Sequence, residues 1–182
     1  MFDSWAGELS PHDFRTFSLP YLRKIASGVR DALSRTSTPS VPLIAFAKGA
    51  LGHSLPDLIK SQYDVVALDW QVEPQVARKF VELSLSGQTN QYKASASANE
   101  CGHRIALQGN LDPAVLYAGK EAIEREVKRM CYAKKGGFGG SGAWIANLGH
   151  GITPGVDPNA LEYFLKCVHT YSREVASLKD EE

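Results

Sequence analysis

Four strand-length apolar runs, each ending on a residue able to do chemistry, constrain this chain more than any other feature. Residues 41–47 lead into Lys48, and residues 64–68 into Asp69 and Trp70. Residues 104–109 lead into Asn110, and residues 144–149 into His150. Continuous apolar runs of this length, bounded by Gly or Pro, read as strands buried on both faces, the pattern of parallel sheets. Between them lie helical patterns. Residues 22–33 carry Leu22, Ile25, Val29 and Leu33, and residues 120–131 carry Ile123, Val127 and Met130. Residues 74–83 carry Val76, Ala77, Phe80 and Val81, and a last helix after Asp157-Pro158 sets Leu161, Phe164, Leu165, Val168 and Tyr171 on one face. Strands alternating with helices imply a parallel sheet with helical crossovers.

The chain opens on Met1-Phe2-Asp3-Ser4-Trp5-Ala6-Gly7, which resembles a strand end with Ser4 just beyond it. Ser10-Pro11 is a helix start, with serine as cap and proline at the first helical position. Pro20 is expected to divide residues 14–33 into a short turn and a longer helix, and Ser54-Leu55-Pro56 to begin a short one. With the opening strand the count is about five, whereas a closed barrel needs eight. The expectation is therefore an α/β chain that is a partial TIM (β/α)8 barrel, the later strands and helices only. Two stretches break the rhythm: residues 84–102 are polar and aperiodic, an expected insertion loop, and residues 134–142 are glycine-rich, an expected flexible connector. The glycines neither follow a strand nor open a helix, so a phosphate cradle is a poor reading.

Composition excludes several function classes. Lys plus Arg equals Asp plus Glu at 20 each, so the basic excess of a nucleic-acid binder is missing. Cys101, Cys131 and Cys167 are odd in number and widely spaced, against both a disulfide framework and a zinc site. No run approaches the ~20 apolar residues of a membrane span, and the N-terminus has no signal-peptide pattern. The expectation is a cytoplasmic protein with no metal, no nucleic-acid partner and no membrane partner.

His150 is the most pointed candidate. It lies between Gly149 and Gly151, and a ligand approaching the backbone would benefit from two flanking residues without Cβ bulk. In a β/α protein this position, just past a strand's carboxyl end, is where ligands bind. The plain alternative is a histidine that satisfies a loop carbonyl.

The motifs together resemble the uroporphyrinogen decarboxylase family. They are Phe2-Asp3-Ser4-Trp5-Ala6-Gly7, Leu19-Pro20-Tyr21, residues 41–48, Leu68-Asp69-Trp70, Leu107-Gln108-Gly109-Asn110-Leu111-Asp112-Pro113, and residues 145–151. They occur in the family's order and match its carboxyl-terminal half. The resemblance implies a (β/α)8 barrel that removes carbon dioxide from the four acetates of uroporphyrinogen, giving coproporphyrinogen, with no cofactor. It implies substrate-binding roles for Ser4 and His150 and a homodimer in the full-length enzyme. The family's central aspartate, arginine cluster and cleft tyrosine fall in the half this sequence does not match, so no catalytic residue is assignable here. Asp69 is expected to be structural. Two alternatives stand beside this reading: a non-catalytic half-barrel that needs its other half, and a corrinoid-linked methyltransferase relative. The second would hold zinc by a His-x-Cys pair where this chain has Phe46-Ala47-Lys48.

Overall fold

A computed structural model describes residues 1–85, 105–132, 137–139 and 143–177. The described strands are β1 (Phe2–Asp3), β2 (Ile44–Ala47), β3 (Val65–Ala67), β4 (Ala106–Leu111) and β5 (Trp144–Leu148). The helices are α1 (Pro11–Asp13), α2 (Leu19–Arg35), α3 (Leu51–Ile59), α4 (Pro74–Leu85), α5 (Lys120–Cys131) and α6 (Pro158–Ser177). Strand order along the sheet is the order of the chain. The strands pair in parallel, with Phe2 opposite Phe46, Ile44 opposite Val65, and Gln108 opposite Ile145. A doubly wound sheet reverses its strand order at a switch point, whereas a β/α barrel adds each strand beside the last. The unbroken order here is the barrel pattern, and the fold is a partial one.

The chain divides into two compact units, residues 1–67 with 79–106 and residues 68–78 with 107–182. In the first, Ser10 Oγ accepts from the Asp13 amide at 3.1 Å and caps α1. A π-helical turn at Phe14–Ser18 then passes into α2, with Pro20 in the first turn of that helix, where its missing N–H costs little. α2 buries Leu19, Leu22 and Ala26, and the Tyr63 hydroxyl donates to the Leu22 carbonyl at 3.0 Å. Arg30 donates to the Gln62 carbonyl at 2.8 Å and to Asp64 Oδ2 at 2.9 Å. α3 starts at Leu51, earlier than the Ser54 start read from sequence, and contains Pro56. The early start is held by the Ser54 amide and hydroxyl, which both donate to the Ala50 carbonyl, at 2.9 and 2.7 Å.

Two strands differ from expectation. β2 is four residues long and alternates: Ala45 and Ala47 are buried while Ile44 and Phe46 are half-buried. Its more open face carries Phe46, which meets Phe2 edge-on at 6.1 Å, and Phe2 itself is 76% exposed. β5, read as buried, also alternates, with Ile145 and Asn147 exposed. It is the last strand in the order among the described residues. β3 is buried throughout, as its composition demands.

In the second unit α5 buries Ile123, Val127 and Met130, and α6 buries Phe164, Cys167 and Val168. Leu165, expected on that face, is exposed. α4 extends to Leu85, so the polar stretch begins later than residue 84, and residues 86–102 lie outside the described residues. Of the glycine-rich stretch, residues 137–139 are described, and they are packed rather than loose. The Phe138 amide donates to the Met130 carbonyl at 2.6 Å, and its ring stacks on Trp144 at 5.2 Å. A Cβ on Gly139 would fall 1.9 Å from the Cys131 carbonyl oxygen, so glycine there permits a close approach. Cys131 and Cys167 are buried free thiols, and Cys101 lies outside the described residues.

Candidate functional site

The second unit builds its site from loops that come after strands. The Gly149 amide donates to the Leu111 carbonyl at 2.7 Å, carrying the β4–β5 pairing one residue past the strand. Gly149 is buried, and a Cβ there would lie 2.4 Å from the Trp70 amide nitrogen. His150 is therefore launched from a residue pressed against the Trp70 backbone. Its exposed imidazole meets the Trp70 indole edge-on, centroids 6.0 Å apart at 77°. Its Nδ1 lies 3.3 Å from the Gly151 carbonyl. Around Gly151 an added Cβ would meet nothing within 4 Å. The two glycines are thus not equivalent: Gly149 makes room for protein, and Gly151 alone leaves an open side for a ligand.

Trp70 is itself anchored. Asp69 is buried and its Oδ1 accepts from the Gln71 amide at 3.0 Å. Buried Asn110 donates through Nδ2 to the Asp69 carbonyl at 2.9 Å and the Val72 carbonyl at 2.6 Å, clamping the turn from both ends. Asn110 Oδ1 is buried and accepts no hydrogen bond from the described residues. Gly109, before it, has φ +139°, and a Cβ there would lie 2.8 Å from the Leu68 carbonyl oxygen, so this strand end also requires glycine. Beyond His150 the loop is tied down by Tyr117. Its hydroxyl pairs with Thr153 Oγ1 at 2.8 Å and donates to the Pro154 carbonyl at 2.9 Å. Sequence reasoning missed Tyr117, whose only signal is its place shortly after the β4 motif. It marked Asn110 and Trp70 as strand-end residues without giving them this work.

In the first unit Ser4 comes directly after β1 and is exposed. Its turn is held from both sides. The Lys48 amide donates to the Asp3 carbonyl at 3.1 Å, and the Gly7 amide to the Lys48 carbonyl at 2.8 Å. Ser18 Oγ donates to Asp3 Oδ2 at 2.5 Å. A Cβ on Gly7 would lie 2.7 Å from Gly49 Cα, which accounts for the Ala-Gly of the opening motif. Lys48 is half-buried and makes no ion pair among the described residues, so this strand end holds a hydroxyl and a cation suited to a carboxylate. Ser4 and His150 each stand at the carboxyl end of a strand, in different units.

Other titratable groups serve structure. An open cavity of about 480 Å³ runs along α5, lined by Glu121, Glu124, Arg125, Lys128 and Arg129. Its charges are largely spent on one another and on neighbours. Lys128 donates to Glu124 at 2.7 Å, and Arg129 to Glu126 at 2.8 Å and Glu73 at 2.9 Å. The Lys128 hydrogen bond, then those from Tyr171 and Tyr163, holds the Glu124 carboxyl below the usual range. Burial pushes the Cys131 thiol up to about 11. No group of three or more His, Cys, Asp or Glu side chains suited to a metal ion occurs among the described residues. His12 and His169 are exposed on helices; His103 lies outside the described residues.

Sequentially ordered parallel strands, joined by helices and ending in polar loops, place the chain in the β/α-barrel class, here in part. A solved methyltransferase from Methanosarcina mazei superposes with TM-score 0.63 at 16% identity, covering 94% of this chain and 41% of that one, which supports the fold alone. The family assignment comes from sequence. The model of uroporphyrinogen decarboxylase (URO-D) matches residues 1–171, and the chain belongs to that family. Uroporphyrinogen decarboxylase of Schizosaccharomyces pombe is 42% identical over 94% of the chain, that of Danio rerio 41% over 96%, and that of Homo sapiens 40% over 95%. The chain spans 41% of the first of these and 40% of the other two.

Proposed function

We propose that this chain acts as the carboxyl-terminal part of a uroporphyrinogen decarboxylase, in which Ser4 and His150 bind substrate carboxylates. Losing carbon dioxide from an acetate on a pyrrole leaves an electron pair that the ring must accept. Protonation of the ring carbon provides the sink, and the enzyme must stabilise the cationic ring while holding eight carboxylates. An imidazole donates to a carboxylate and, when protonated, adds charge; a serine hydroxyl donates as well. No cofactor is needed in this scheme. The observation that carries the reading is His150: an exposed imidazole pinned against Trp70, with an open side at Gly151, in a chain of this family.

Ser4, Lys48 and His150 offer too little positive charge to stabilise that transition state alone, because such stabilisation is the largest single contribution in most enzymes. We infer that the remaining groups lie in the part of the enzyme that this chain does not span, and that the complete enzyme is a cytoplasmic homodimer. Anaerobic incubation of the purified chain with uroporphyrinogen is expected to give no coproporphyrinogen; enzyme-like turnover would refute this division of labour. Binding is read separately, by quenching of tryptophan fluorescence with uroporphyrin. His150→Gln should weaken it about tenfold or more, the worth of one hydrogen bond to a charged group. Unchanged binding would remove His150 from the site.

A second reading, a non-catalytic half-barrel that needs its other half, is favoured by the exposed apolar side chains Phe2, Trp5, Phe17 and Tyr21. The methyltransferase reading has no support beyond fold, since Phe46-Ala47-Lys48 supplies neither His nor Cys.

A further inference from the structure

The carboxyl ends of β1 and β2 bring Ser4 and Lys48 side by side. The two strands pair in parallel, with Phe2 opposite Phe46 and Asp3 opposite Ala47. The Lys48 amide then donates to the Asp3 carbonyl at 3.1 Å, which carries the register one step on and sets Ser4 beside Lys48. Side chains alternate between the faces of a strand, and residues in register share a face. The two faces differ here. Ala45 and Ala47 are buried, and Asp3, in register with Ala47, accepts from Ser18 in the π-helical turn that leads into α2. That is the helix-covered face. On the other, Phe2 is exposed and Phe46 half-buried, their rings edge-on. Ser4 and Lys48 come one residue after Asp3 and Ala47, so alternation sets them on this more open face. They stand there at strand carboxyl ends, where β/α folds hold ligands.

Lys48 is half-buried, yet its ammonium has neither a hydrogen bond nor an ion pair among the described residues. Taking a cation partly out of water without a counter-charge is unfavourable. Arg30 and Lys128, half-buried as well, each meet a carboxylate, at 2.9 and 2.7 Å. Asp3, the acidic residue next to Ser4, is engaged by Ser18 on the opposite face. The backbone that carries the lysine is fixed. The Lys48 carbonyl accepts from the Gly7 amide at 2.8 Å, and a Cβ on Gly7 would lie 2.7 Å from Gly49 Cα. The lysine stem therefore starts from a set point beside the Ser4 hydroxyl.

We propose that Lys48 is a substrate-binding residue that holds one carboxylate jointly with Ser4, the ammonium supplying charge and the hydroxyl a directional hydrogen bond. A carboxylate accepts through both oxygens, so it can take the two donors at once. The Phe2–Phe46 pair lies two residues back on the same face, and an apolar floor there strengthens a charge contact by lowering the local dielectric. The assignment rests on the reading in which Ser4 binds a substrate carboxylate, and it adds the charge that a hydroxyl alone does not provide.

The test uses the whole chain with uroporphyrin and coproporphyrin as probes. Binding is read by quenching of tryptophan fluorescence, and the state of the Lys48 amine by acetylation followed by mass spectrometry. Uroporphyrin should slow acetylation of Lys48 several-fold, while Lys24, exposed on α2, reacts at an unchanged rate. Lys48→Met should weaken uroporphyrin binding about tenfold or more and make it less dependent on salt, whereas Lys48→Arg should keep most of it. Because both donors act on one carboxylate, the losses from Lys48→Met and Ser4→Ala should fall short of multiplying in the double variant. Coproporphyrin keeps the propionates and lacks the acetates. Equal loss with both probes assigns the pair to a propionate, and loss with uroporphyrin alone assigns it to an acetate; either supports the proposal. It is overturned if Lys48 stays fully reactive in the presence of bound uroporphyrin, if Lys48→Met binds as tightly as the unsubstituted chain, or if the two losses multiply. Failure of the unsubstituted chain to bind either porphyrin is a different result, and it removes the substrate reading together with this one.

Discussion

Replacing Gly149 by alanine tests whether the His150 loop is set by packing against Trp70. The added Cβ would sit 2.4 Å from the Trp70 amide nitrogen, 3.0 Å from the Asp69 carbonyl carbon and 3.1 Å from Trp70 Cα. All three are backbone atoms, so no side chain can swing aside. Overpacking of this kind costs about 1–3 kcal/mol. As the loop shifts to relieve the clash, the 2.7 Å bond from the Gly149 amide to the Leu111 carbonyl is also strained or lost, about another 1 kcal/mol. The sum is roughly 2–4 kcal/mol, or roughly 4–15 °C in Tm for a chain of this size. Gly151→Ala is the internal control: a Cβ there meets nothing within 4 Å, so the change should stay within about 0.5 kcal/mol. Urea unfolding of both variants, monitored by near-ultraviolet circular dichroism, measures the difference. The reasoning fails if the two substitutions cost the same, or if Gly149→Ala is neutral.

The same geometry has other consequences. Asn110→Ala removes both bonds to the 69–72 turn from a buried position and should cost about 2–4 kcal/mol in urea unfolding, with altered tryptophan emission. Tyr117→Phe frees the loop at Thr153 and Pro154. Its cost should be only about 0.5–1.5 kcal/mol, but hydrogen exchange over residues 150–156 should quicken several-fold. Alkali should destabilise the fold. Burial raises the Cys131 thiol from its ordinary value near 9 to about 11, so the folded state keeps a proton that the unfolded state releases. That stabilisation is complete below about pH 9 and fades as pH rises toward 11, so the urea midpoint should fall over that window and Cys131→Ala should flatten the slope. Acid acts the other way on Glu124, whose carboxyl is held low chiefly by Lys128. Its contribution exists above the unfolded value and is lost as pH falls, and Lys128→Met should reduce that part of the acid sensitivity.

The β/α order was legible because an apolar run with a polar stop is a local signal. Ser4, Lys48, Asp69, Asn110 and His150 were found at strand ends for that reason alone. The structural role expected of Asp69 rested on its motif, and its burial and bond to Gln71 agree. What the residues did not show was tertiary. β5 reads as a buried run, yet Ile145 and Asn147 on one face are exposed, and which face of a strand is covered is a property of tertiary packing. The α3 start was misread because Pro56 usually opens a helix, whereas Ser54 pulls the first turn back to Ala50. The flanking glycines of His150 read as a matched pair; only the approach of Trp70 separates them.

These loops share one construction. Asn110, at the end of β4, clamps the turn that comes after β3. Gly149, after β5, presses on Trp70 in that same turn, and Tyr117, after β4, ties the far side of the β5 loop. In the first unit Gly7, after β1, locks onto Lys48 and Gly49 after β2. Each strand-end loop is thus held by the loop of another strand in its own unit, through backbone atoms or a single side chain. A polar group carried on such a loop is positioned before any ligand arrives, and the ordering cost of binding is met in folding. His150 and Ser4 should therefore keep their local geometry in a chain that spans about two-fifths of its relatives. On the proposed division of labour, what the isolated chain lacks for turnover is charge rather than order in its own loops. Restoring the missing segment should raise turnover from nothing while leaving the exchange protection of residues 69–72 and 149–154 almost unchanged. A large gain in protection there on complex formation would show instead that these loops are ordered by the partner.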